Sequence, residues 1–131
     1  MTEIFRSEYT VVTLEHGGQI VRSTRSSTPY PSVEAFRDEI RMISSKLDQI
    51  GRFGRGLLAD LRAGPARNDP AFEQAMHAVL PELRRGFRGI AVVVRSAAGA
   101  LQIRRNLVSE PNSMVSSDEA EAVEWLLTGR D

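Results

Sequence analysis

Asp60, Arg62, Arg67, Asn68 and Asp69 lie within LLADLRAGPARNDP, residues 57–70, the densest run of potentially chemical side chains in the sequence. Two guanidiniums this close can make paired, charge-assisted hydrogen bonds to a carboxylate or a phosphate. Asn68 or Asp69 can cap a helix by accepting backbone N–H groups, and Pro70 suits the first helical turn. A helix N-terminus beside two arginines also favours anions. Asp69 competes for the same positive field, however, so an acidic protein surface fits the turn better than free phosphate does. Two readings therefore stand side by side, a well-capped connection and a partner-binding surface.

Elsewhere the chemistry is thinner. His16 and His77 are the only histidines, and neither has neighbours spaced as a metal site or a catalytic triad requires. With no cysteine in the chain, thiolate nucleophiles, disulfides and cysteine metal ligands are excluded. There is no Gly-rich phosphate loop and no GxGxxG, so no nucleotide cofactor is implied. Glu8, Glu15, Asp38 and Glu39 read as surface carboxylates. Arg84, Arg85 and Arg88 form a basic cluster that suits a helix C-terminus, and with Arg104 and Arg105 they could form a patch for an acidic partner. Ser26, Ser27 and Thr28, before Pro29, read as an exposed loop. Trp125 reads as a core anchor of the last helix. No reaction is implied, and the expectation is a protein that is not an enzyme.

Composition narrows the partners. Seventeen basic and 17 acidic residues cancel, which argues against the uncompensated basic surface of a nucleic-acid binder. Sixteen of the 17 basic residues are arginine, a bias that a GC-rich genome explains on its own. The opening MTEIFRSEYT lacks the apolar run of a signal peptide. No stretch approaches the roughly 18 apolar residues of a membrane span. These observations predict a cytoplasmic protein without stable membrane insertion.

The elements that must position the turn follow from periodicity. EYTVVTLEH and QIVRSTRS around Gly17-Gly18 predict a β-hairpin. Ser32 reads as an N-cap, with Ala35, Phe36, Ile40, Ile43 and Leu47 at helical spacing and Gly51 as the stop. GLLADL and GIAVVVRS are apolar without alternation, as central strands covered on both faces are. Between them Phe72, Ala75, Met76 and Val79 mark a helix that Pro81 should kink or restart. AAGALQIRRNL predicts a helix with Leu101 and Leu107 inward. SMVSS is a weak strand, and SSDEAEAVEWLL is a terminal helix with acidic residues at its positive end. The predicted order is β-β-α-β-α-β-α-β-α. It makes one α/β domain over residues 1–131, with a mixed central sheet and an N-terminal hairpin.

This order, together with LLADLRAGPARNDPAF, GFRGIAVVVRS and DEAEAVEWLL, resembles the STAS superfamily, the anti-sigma-factor antagonist fold. It looks most like the STAS-like branch grouped with CRAL-TRIO lipid-transfer domains, over about residues 8–128. The resemblance implies a non-enzymatic interaction or regulatory module that binds another protein. In phosphorylatable members, a strand ending in Asp-Leu leads to Asp-Ser at the next helix start. Asp60-Leu61 matches that strand end, but the helix start reads Asn68-Asp69-Pro70. No Ser or Thr occurs from Leu57 to Arg95. The switch serine is absent, and Asp69 offers a fixed carboxylate in its place. The partner-binding set is therefore Asp60, Arg62, Arg67, Asn68 and Asp69. A carrier of a small apolar or lipid-like ligand is the first alternative, and would need a cavity lined by residues such as Phe36, Leu57, Met76 and Leu101. An enzyme of unknown type is the second.

Overall fold

In a computed structural model, residues 2–65, 70–106 and 112–128 are described. Six strands form one sheet in the order β1-β2-β3-β4-β5-β6: β1 Thr2–Arg6, β2 Thr10–Glu15, β3 Ile20–Arg25, β4 Gly56–Asp60, β5 Gly89–Val93 and β6 Ser113–Ser116. The first three are antiparallel neighbours, and β3 through β6 are parallel. Four helices are interleaved: α1 Val33–Ile50, α2 Pro70–Arg84, α3 Ala97–Asn106 and α4 Glu119–Leu127. The mixed sheet, the hairpin and the alternation after it are as the sequence predicts. β1 is an addition, antiparallel to β2 with a register shift between Glu3 and Phe5. That irregularity breaks the two-residue alternation by which a strand is recognised.

The sheet separates two cores. On one face Val21, Leu57, Ile90 and Val92 pack with Ile43 and Leu47 of α1, Leu80 of α2 and Ala100 of α3. On the other, Ile20, Leu58, Ala91 and Val93 meet Ala122 and Leu126 of α4. β4 and β5, central and covered on both faces, are accordingly the apolar runs without alternation. Gly56 and Gly89 are register partners at their N-terminal ends. A Cβ on Gly56 would come within 2.8 Å of Leu126, and one on Gly89 within 3.3 Å of Trp125. These two glycines let α4 lie directly on the sheet backbone, and Trp125 anchors it there as predicted.

The helix starts follow their capping residues. Ser32 Oγ accepts from Ala35 N at 3.0 Å, and Gly51, at φ 87°, closes α1 by donating to Leu47 O. Asp118 caps α4 by accepting from Ala120 N and Glu121 N. Ser96 Oγ accepts from Gly99 N at the start of α3.

α2 does not restart at Pro81, and the expected inward residue of α3 is corrected. α2 runs through Pro81 to Arg84 without restarting. Pro81 and His77, whose carbonyl loses its donor, are both on the exposed side, where water can serve it. In α3, Leu101 is 58% exposed, while Ala100 is buried and Ile103 partly buried. Ala100 and Ile103 are the α3 residues that pack against the core, so the adjacent Leu101 falls on the outer side; Leu107 lies outside the described residues.

Candidate functional site

Asp60 ends β4 at the carboxyl edge of the parallel strands, and the chain turns there into the segment that precedes α2. Successive strand residues face opposite sides, and Asp60 follows Leu58 onto the α4 face. Its side chain is only 8% exposed. Arg62 folds back over it: Nε donates to Asp60 Oδ1 at 3.0 Å, Nη2 to Oδ2 at 2.7 Å, and the Arg62 backbone N–H to Oδ1 at 3.1 Å. Arg62 Nη2 also donates to Glu119 Oε1 at 2.7 Å, in the first turn of α4. Arg95, just after β5, donates to Arg62 O at 3.0 Å. One arginine thus joins the ends of β4 and β6–α4, and its backbone is held from β5.

Beneath it lies a second guanidinium. Arg22 of β3 pairs with Glu119 Oε2 at 2.9 Å, approaches Asp60 Oδ2 at 3.9 Å, and donates from Nε to Glu15 Oε1 at 2.9 Å. Thr13 Oγ1 donates to Glu15 Oε2 at 3.1 Å. The set Glu15–Arg22–Glu119–Arg62–Asp60 is continuous across three strands, one turn and one helix. The Arg62 guanidinium, by its hydrogen bonds above all, holds the Asp60 carboxyl below its ordinary pKa against the opposing effect of burial. Asp60 and Glu119 in turn raise that of Arg62. Asp60, committed to the guanidinium in this way, fixes the position of Arg62.

Of the sequence-derived site, then, the structure brings Asp60 and Arg62 together. Arg67, Asn68 and Asp69 lie outside the described residues. Asp60 is buried, so it orients Arg62 and offers little surface of its own, whereas Arg62 remains 41% exposed. Sequence reasoning missed Arg22, Glu119 and Arg95. Glu119 was legible only as an acid favoured by a helix N-terminus, and nothing local marks Arg22.

Other candidates sort differently. Glu39, expected at the surface, is buried and accepts from Tyr30 Oη at 2.7 Å. Burial, first of all, raises the Tyr30 pKa. Tyr30 packs in an aromatic group with Tyr9, Phe36 and Phe72, and Arg25 lies 4.6 Å over its ring. Glu15 likewise leaves the surface set for the ion network. Ser26 Oγ donates to Glu8 O and accepts from Thr28 N, and Ser27 and Thr28 are exposed. The basic cluster has local partners: Arg85 pairs with Asp48 and Glu82, Arg88 donates to Gly54 O, and Arg104 donates to Val115 O. His16 sits at the hairpin tip and His77 on exposed α2. Among the described residues no group of three His, Cys, Asp or Glu converges as a metal site. No described helix is long and apolar enough to cross a membrane. The four residues proposed to line a carrier cavity disperse: Leu57 and Phe36 fall in separate clusters, and Met76 and Leu101 are at the surface.

One solved structure matches over 93% of this chain and 98% of its own, with a TM-score of 0.65 at 14% identity. It is an uncharacterised protein of the DUF3478 family from Shewanella loihica PV-4, described as having a SpoIIAA-like fold. The fold of this chain is SpoIIAA-like. No family model and no curated protein matches the sequence. At 14% identity the likeness establishes the STAS-type architecture, and it says nothing of what is bound. Within that fold, Asp60 and Arg62 occupy the end of β4 and the turn that leads to α2.

Proposed function

We propose that this SpoIIAA-like domain is a non-enzymatic interaction or regulatory module whose partner docks at the β4–α2 turn. The observation that carries the reading is the mounting of Arg62, which is 41% exposed yet held by Asp60, Glu119 and Arg95. A preorganised guanidinium loses less conformational freedom on binding than a free one. Its edges that remain accessible suit an acidic protein surface. Arg67, Asn68 and Asp69, next in the sequence before α2, complete the proposed contact set. In this chain the turn has no hydroxyl to phosphorylate, so partner binding there would be constitutive or controlled from the partner's side.

The test is capture from native lysate by wild type and by the Arg62→Ala/Arg67→Ala variant, beside thermal melts. The proposal expects a discrete protein recovered by wild type and lost with the double variant at nearly unchanged Tm. Equal recovery by both would sink it.

A further inference from the structure

The two sides of Arg62 differ in charge. Towards α4 its guanidinium meets Asp60 and Glu119, and the other acids there are engaged as well. Asp118 accepts from Ala120 N and Glu121 N, and Glu121 accepts from Ser116 Oγ. The β5 side is different. Neither residues 61–65, which open the β4–α2 turn, nor residues 83–109, which include β5, the turn after it and the whole of α3, contain an acidic residue.

Arg95 stands on that side. Asp60 and Val93 are register partners in parallel strands, and Leu61 N donates to Val93 O at 2.8 Å. Two residues further on, the chains carry Arg62 and Arg95 past the ends of β4 and β5, where Arg95 Nη1 donates to Arg62 O at 3.0 Å. Bracing one carbonyl takes one nitrogen of a guanidinium that has three. Arg95 is exposed, and among the described residues its Nε and Nη2 have no acceptor and no carboxylate lies within ion-pair distance of it. Most of its donors and its charge therefore face solvent beside Arg62.

We infer that Arg95 is a second anchor for the acidic partner, so that the segment recognised carries two carboxylates, one for Arg62 and one for Arg95. The inference rests on the reading of the β4–α2 turn as the docking surface and extends it to the turn after β5. Arg62 already shares its charge with Asp60 and Glu119, whereas Arg95 shares its own with no carboxylate among the described residues. A partner carboxylate beside Arg95 thus meets a cation whose charge is not yet balanced, which favours a doubly acidic segment over a singly acidic one.

Backbone amide shifts of the isotope-labelled intact chain, titrated with hexaglutamate and with a glutamine hexamer carrying a single glutamate, test the inference. Wild type should bind hexaglutamate more tightly, with shifts at residues 61–64 and 95–98, and high salt should narrow the difference. Arg95→Gln keeps a donor for Arg62 O and removes the charge. It should weaken hexaglutamate about fivefold and leave the single-glutamate peptide nearly unchanged, and Arg95→Lys should restore most of the affinity. Equal weakening of both peptides by Arg95→Gln would reduce Arg95 to a brace for Arg62 and overturn the inference. So would hexaglutamate affinity in Arg95→Gln equal to wild type, or a wild type without shifts at residues 95–98. Arg62→Ala separates this inference from the reading beneath it. If Arg62→Ala weakens hexaglutamate while Arg95→Gln does not, the second anchor alone falls; if Arg62→Ala binds like wild type, the docking turn falls with it.

Discussion

Arg52 and Arg62 stand at opposite ends of β4, and their surroundings separate a structural arginine from a presented one. Arg52 is 4% exposed by side chain. Its Nη1 donates to Glu82 O, Leu83 O and Arg85 O at the end of α2, and its Nη2 to Ser44 O and Ser44 Oγ in α1. It therefore satisfies carbonyls that the last turn of α2 leaves without donors and ties two helices together. Gly86, at φ 85°, leaves room for it, since a Cβ there would meet the Arg52 stem at 3.2 Å. Arg62 spends its hydrogen bonds on carboxylates and remains 41% exposed. Neutral carbonyls take up hydrogen bonds but leave the charge to a single exposed carboxylate, Asp48, at 2.9 Å. Two carboxylates around Arg62 balance charge and orient a side chain whose other edge stays open.

The largest effect should come from removing the buried arginine. Arg52→Ala strands several carbonyls at the α1–α2 junction and should cost about 4 kcal/mol. Calorimetry would then show a Tm drop of ~15 °C. A variant that melts within a few degrees of wild type would place the junction's stability elsewhere.

Next comes Asp60→Asn. It removes a nearly buried carboxylate from two guanidiniums, and chemical denaturation should show a loss of about 3 kcal/mol. The same variant carries a pH signature. The folded-state pKa of Asp60 is depressed, so its stabilisation is complete above the ordinary carboxylate range. It declines as pH falls through the unfolded-state value and is gone below the folded-state one, because the unfolded chain takes up the proton first. Wild type and Asp60→Asn should differ most at neutral pH and converge in acid. A gap that persists unchanged in acid would assign the loss to packing.

How far the two arginines were legible follows from where their partners lie in the chain. Asp60 and Arg62 are two residues apart at a strand end, and that spacing alone pointed to a shared turn. Arg52 meets acceptors 30 to 33 residues away, and Glu119 lies 57 residues from Arg62. No local pattern encodes such pairings; they appear only once the sheet sets its neighbours. β4, β5 and the stripe of α1 were readable because burial on two faces, or on one face of a helix, imposes a period on the sequence. Ser32 and Gly51 were readable because capping is local. β1 was not, because its register shift erases the period. Glu39 was misread as surface because a buried carboxylate depends on a distant hydroxyl, here that of Tyr30.

A smaller effect on stability belongs to Arg62→Ala. The side chain is partly exposed and Arg22 remains beside both carboxylates, so the cost should be about 1 kcal/mol. Circular dichroism should show an intact fold with a slightly lower Tm. A loss as large as that of Arg52→Ala would make Arg62 a structural residue and erase the contrast between the two ends.

The central claim, that partner docking belongs to the Arg62 end, is tested most directly by site-specific photo-crosslinking in native lysate. The crosslinking residue would replace exposed Ala63 in the β4–α2 turn in one sample and exposed Arg85 beside Arg52 in the other. The account predicts a discrete adduct to a different protein from position 63 and none from position 85. An adduct to a different protein from position 85, with none from position 63, would contradict it.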